Sequence, residues 1–132
     1  MIERVFITGI GAVTPVGLNA VDSWSNLKKG ESGIGPITSF DTDGFETTIA
    51  AEIPSFDPER HVSKKQARRM DRFVQLGAVA ALEAIQDSGL KIDDSNSDRV
   101  SVMVASGIGG IITLSEQIEV LNDRGPNRVS PF

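Results

Sequence analysis

Residues 4 to 8, RVFIT, form a short and nearly continuous apolar run, the pattern of a strand buried on both faces. It leads into a turn containing Gly9 and Gly11 and then into Pro15. Asn19 with Asp22 has the spacing to cap a helix, on which Val21, Trp24 and Leu27 share a face and which Gly30 stops. Residues 31 to 60 are rich in Gly, Pro, Ser, Thr and Asp, so they read as a surface excursion with one strand at Thr47 to Ile53.

A longer helix is predicted from Ser63, where SKKQ pairs Ser63 with Gln66 in capping-box spacing, to Ser88, with Gly89 as its C′ residue. Its second half, FVQLGAVAALEAI, is apolar nearly all round, leaving Gln75, Glu83 and Gln86 as a narrow polar stripe. Such a helix is expected to be buried. After a polar loop at Asp93 to Asp98, Arg99 to Ser106 is the strongest strand pattern in the chain. It runs into GIGG, and Thr113 with Glu116 offers a second capping box. Leu114, Ile118 and Leu121 then mark the apolar face of a helix ending near Asn122, and the remainder reads as turn and coil. The alternation of strands and helices argues for α/β layering with parallel strands. Two or three strands cannot cover both faces of a buried helix, so the pattern predicts part of a larger domain.

Composition narrows the function classes. The 132 residues carry a net charge of −5, with 39% hydrophobic and 23% charged residues, an ordinary soluble mixture. The acidic balance disfavours nucleic acid and anionic lipid as partners of the whole chain. There is no cysteine, which excludes a thiol nucleophile or thiolate metal site among these residues. Met1-Ile2-Glu3-Arg4 has none of the character of a targeting segment. The longest apolar stretch, Val100 to Leu114, is broken by Ser and Gly and falls short of the ~20 residues of a spanning helix. The expectation is a cytoplasmic protein with no membrane association.

The opening glycines invite a dinucleotide-loop reading. That fingerprint needs G-x-G-x-x-G entering a helix. Here Thr14 stands in the place of the third glycine, and Pro15 removes an amide donor. The segment is read as a strand ending in a crowded turn, with no nucleotide. No phosphate loop occurs elsewhere.

SKKQARRMDR is the sharpest local signal. Lys64, Lys65, Arg68, Arg69 and Arg72 would share one side of a continuous helix, and residues 63 to 72 carry +4 while the rest carries −9. The alternatives are a solvated helix face, an anionic protein partner or nucleic acid. Nucleic acid is the weakest, because interleaved aromatics are missing.

RVFITGIGAVTPVG, WSNLKKGESGI, FDTDGF, RRMDRFVQLGAVAALEAIQDSGL, ASGIGG and SPF occur in this order along the chain. In that order and at that spacing the chain resembles the amino-terminal part of β-ketoacyl-acyl-carrier-protein synthases, most closely the type II enzymes of fatty-acid synthesis. The isoleucine of GIGG favours type II over type I, and polyketide ketosynthases are close alternatives. The resemblance covers residues 1–132 as the N-terminal portion of a ketoacyl synthase domain.

It implies a thiolase-like α/β fold layered α-β-α-β-α, of which this chain holds part of the N-terminal half. It also implies a homodimer that elongates fatty acids by decarboxylative Claisen condensation. No cofactor is implied beyond the phosphopantetheine on which acyl-carrier protein bears the substrate. The family's nucleophilic Cys is expected beyond the last of these residues, and its two assisting His and its Lys further on. His61 matches neither family histidine and reads as a surface residue, so no catalytic residue and no metal ligand is assigned.

The same resemblance places carrier-protein docking on Lys65, Arg68 and Arg69. It places the fatty-acyl pocket at Gly107, Ile108 and Gly109, with Ile108 as a gate between glycines. Ile111 is a further candidate whose competing role is core packing. Phe132 matches a segment that helps close the partner's acyl pocket at the dimer interface. Three functions compete: the front portion of a condensing synthase; a non-catalytic relative or fragment binding carrier protein or a dimer partner; and a nucleic-acid module.

Overall fold

The computed structural model describes residues 4–131. Phe132, the proposed dimer-interface aromatic, lies outside the described residues. The chain divides into two compact units, one of residues 1–57 and 79–91, the other of 58–78 and 92–132.

In the first unit, helix α1 spans Ala20–Lys28. Asn19 caps it as expected, its Oδ1 accepting from the Asp22 amide at 2.7 Å, and Gly30 follows at φ +75°. Val21, Trp24 and Leu27 do share a face. They remain exposed along an open groove of about 1240 Å³. The excursion contains two strands where one was expected: β1, Ile34–Pro36, pairs antiparallel with β2, Ile49–Ala51, placing Gly35 opposite Ala50. Glu52 extends that pairing, since its carboxylate accepts from the Thr38 amide at 2.8 Å and hydroxyl at 2.7 Å and from the Ser39 amide at 3.1 Å.

The opening turn is held by Glu83, from the polar stripe read in the sequence, and by Asp87 beyond it. Glu83 accepts from the Ala12 amide at 2.9 Å and the Ala20 amide at 2.8 Å, and Asp87 accepts from the Ile10 amide at 2.9 Å. Thr14 and Gly17 exchange amide bonds of 2.8 and 3.2 Å. The buried Ser23 hydroxyl then donates to the Gly17 carbonyl at 3.1 Å. These amide donors are spent on carboxylates and carbonyls of the chain itself, which accords with a structural turn.

In the second unit, helix α2 spans only Lys64–Ala67, and after a turn begins helix α3, Arg72–Ser88, whose residues 79–88 belong to the first unit. The continuous helix expected from Ser63 is therefore interrupted. The Ser63–Gln66 capping box forms as expected. The break has a visible cause. The Gln75 side-chain amide donates to the carbonyls of Ala67 at 3.0 Å and Met70 at 3.1 Å, capturing acceptors that a continuing helix would have used. Downstream, α3 ends with Gly89 at φ +65°, as predicted.

Further expectations differ from the structure. Of the apolar residues on α3, only Val79 is fully buried, while Leu82 and Ile85 remain 46% and 43% exposed. Residues 4–8 and 99–106 form no ladder among the described residues. A strand is defined by its partner, and the two-stranded sheet gives these segments none. Helix α4 covers Ile111–Arg124, slightly longer than predicted, and ends at Gly125 with φ +81°. Its start also differs, because Gly110 is the N-cap and Thr113 lies inside the first turn, so no Thr113–Glu116 capping box forms. No described helix is long and apolar enough to cross a membrane.

Candidate acyl-pocket turn and basic docking turn

The basic cluster is built differently from the single helical face that its spacing suggested. Lys64 and Lys65 belong to α2, Arg68 is its C-cap, Arg69 lies in the turn and Arg72 opens α3. Lys65, Arg68 and Arg69 are all exposed. The turn is tight: the Arg69 amide donates to the Gln66 carbonyl at 2.9 Å and the Met70 amide to the Ala67 carbonyl at 3.2 Å. It projects the Arg68 and Arg69 side chains from a backbone pinned by Gln75.

Gly107 to Gly110 form the second turn. The Ser106 hydroxyl accepts from the Gly109 amide at 3.0 Å, and Gly109 takes φ +79°, a conformation that disfavours any side chain there. Ile108 is 78% exposed at its crest. Ile111 is the first residue of α4 and is half exposed, so core packing is not its role in this structure.

The structure brings Arg68, Arg69 and Arg72 together with residues that the sequence reading had not joined to them. They share a cleft of about 370 Å³ with Asp71, Gln75, Thr113 and Glu116. Gly107, Ile108, Gly109, Ile111 and Lys65 do not line it. Asp71 is the residue missed. Its Oδ2 accepts from both the amide and the hydroxyl of Thr113, each at 2.8 Å, and its Oδ1 accepts from the Phe73 amide at 3.4 Å. Burial pushes the Asp71 carboxyl pKa up, but the bonds from Thr113 and from the Phe73 and Arg72 amides outweigh it and hold the pKa below 3.8. The group is therefore ionised at neutral pH. Its partner lies 42 positions away, a distance over which capping patterns say nothing.

His61 is exposed, as expected. Among the described residues no three His, Asp or Glu side chains are grouped to hold a metal.

With this geometry in place, likeness to known proteins gives it a class. The chain belongs to the β-ketoacyl synthase family, matching the family's N-terminal domain over residues 2–132. It is 47% identical over 130 residues to a 3-oxoacyl-[acyl-carrier-protein] synthase 2 of Staphylococcus aureus, covering 98% of this chain and 31% of that relative. The chain thus spans about 31% of the length of the curated relatives it matches.

Among solved structures, a β-ketoacyl synthase from Burkholderia phymatum superposes with a TM-score of 0.75 at 28% identity, covering 98% of this chain and 32% of that one. A type II polyketide ketosynthase in complex with its acyl-carrier protein superposes with a TM-score of 0.77 at 23% identity, covering 98% and 33%, which speaks to fold alone. The fold is the thiolase-like α/β type of these ketosynthases, in part, as the sequence resemblance implied.

Proposed function

We propose that these residues form the N-terminal portion of a condensing enzyme that lengthens acyl chains on acyl-carrier protein. The observation that carries this reading is the 47% identity to a 3-oxoacyl-[acyl-carrier-protein] synthase 2 across nearly the whole chain. In the reaction, an acyl group is held as a cysteine thioester and malonyl-carrier protein loses carbon dioxide. The resulting carbanion forms a carbon–carbon bond to the thioester carbonyl and expels the cysteine thiolate. The product is a β-ketoacyl chain on the carrier.

No cysteine is among the 132 residues, so they supply no thioester nucleophile. Their part is recognition and shaping. Arg68 and Arg69, with Lys65, offer exposed cations to an acidic carrier protein and govern mainly encounter and orientation. Gly107, Ile108 and Gly109 border the acyl pocket with Ile108 as its gate, and Ile111 follows at the start of α4. No cofactor beyond the carrier's phosphopantetheine is invoked. We place the enzyme in the cytoplasm as a homodimer with Phe132 at the interface.

Charge reversal of Arg68 and Arg69 to Glu in the complete synthase tests the docking assignment. The KM for carrier-bound substrates should rise about tenfold, with free thioesters little affected. Equal effects on both substrate types would remove the docking role.

A further inference from the structure

Asp71 ends the turn that carries Arg68 and Arg69, and it touches the first turn of the helix that follows Ile108. Helix α4 lacks a cap of its own, because Gly110 has no side chain to offer its amides. Asp71 supplies that cap from a distant segment, taking both hydrogen-bond donors of Thr113, the third helical residue, on Oδ2. The other oxygen accepts from the second residue of α3 at 3.4 Å. One carboxylate therefore serves the starts of two helices. Gly110 makes room for it: a Cβ there would lie 3.3 Å from Oδ2 and 3.5 Å from the Asp71 Cβ.

We propose that Asp71 is a positioning residue, fastening the glycine turn that presents Ile108 to the basic turn that presents Arg68 and Arg69. The assignment rests on the proposed function for the roles of those two turns. What it adds is the link between them. The ionised carboxylate at the amino end of α4 is favoured by the helix dipole as well as by its hydrogen bonds. Gln75 also holds the basic turn, through the Ala67 and Met70 carbonyls. A shift of Arg68 and Arg69 on engaging a carrier would therefore reach Asp71 within two residues, and through Thr113 the start of α4. Ile108 stands only three residues before that helix.

The test uses the complete synthase with carrier-bound acyl groups of graded length. Asp71→Ala should lower kcat about tenfold for the longest chains and leave the carrier KM within about twofold, because both arginines are retained. Asp71→Asn should recover part of the loss, since its amide oxygen still accepts from the Thr113 N–H. Thr113→Val, which keeps Asp71 and that N–H bond, should fall between wild type and Asp71→Ala, and it remains informative should Asp71→Ala fold poorly. Ile108→Phe is the control and should shorten the longest chain accepted. An unchanged profile for Ile108→Phe would overturn the pocket reading and the link with it. A shifted profile for Ile108→Phe beside unchanged kcat in Asp71→Ala and Thr113→Val would overturn the link alone. A raised carrier KM at constant kcat in Asp71→Ala would also overturn it, placing Asp71 on the docking surface.

Discussion

Gly11 shows how a single missing Cβ sets the approach of the opening loop to α3. A Cβ at Gly11 would meet the Ala80 carbonyl and lie 2.7 Å from the Ala84 amide. Gly9 is similarly crowded, with the Ser88 amide 2.6 Å from the same added atom. These obstacles are helix backbone, which cannot rotate aside as a side chain can. The glycines that resemble a phosphate loop therefore serve helix contact. Gly11→Ala should destabilise the protein by about 1–3 kcal/mol, read as a lowered melting temperature of the complete synthase. Gly35→Ala is the matched control: its Cβ would meet nothing within 4 Å, its φ is not positive, and its effect should be small. Equal losses at both positions would mean that helix approach is not what Gly11 provides.

At the scale of elements, local patterns were legible where the physics is local. The Asn19 cap, the Ser63–Gln66 box and the Gly30 and Gly89 stops all appear, because each depends on neighbours within a few residues. The break between α2 and α3 was not legible, since SKKQARRMDR has uninterrupted helical propensity. It depends on Gln75 reaching back to two carbonyls. Strand β1 was missed for a related reason: IGP has poor strand character, and its pairing with Ile49–Ala51 is nonlocal. Glu52 strengthens that weak ladder. The Ser39 hydroxyl, with the Thr38 hydroxyl and amide, lowers its pKa from 4.5 to about 2. A depressed folded pKa adds stability that is complete above the unfolded value and is lost as pH falls through the folded one. Protection of the Thr38 and Ser39 amides, taken relative to their intrinsic exchange at each pH, should thus persist at pH 5 and be lost only as pH nears about 2. Glu52→Gln should abolish that dependence, and a midpoint near the ordinary 4.5 would refute the bonding.

For the molecule as a whole, the order and spacing of six sequence segments pointed to two separate turns, whose docking and pocket roles belong to the proposed function. The link between them was not legible, since Asp71 and Thr113 stand 42 positions apart. The two best strand patterns pose the larger question. Val5, Phe6 and Ile7 are 94%, 73% and 84% exposed, and Val102, Met103 and Val104 are 85%, 95% and 70% exposed. Runs of β-branched and apolar residues left this open are what sheet partners cover. The proposed function supplies such partners in the remainder of a ketosynthase fold. Hydrogen exchange then separates two states of the same residues. In the 132-residue chain alone, amides 5–7 and 102–104 should exchange at nearly unprotected rates, and the chain should bind a hydrophobic dye. In the complete synthase, amides of these two segments should slow on the order of 1,000-fold as ladder bonds form. Fast exchange there as well would show that these segments are not sheet strands. The placement of residues 4–8 and 99–106 in a layered sheet would then fail, whatever the docking and pocket variants show.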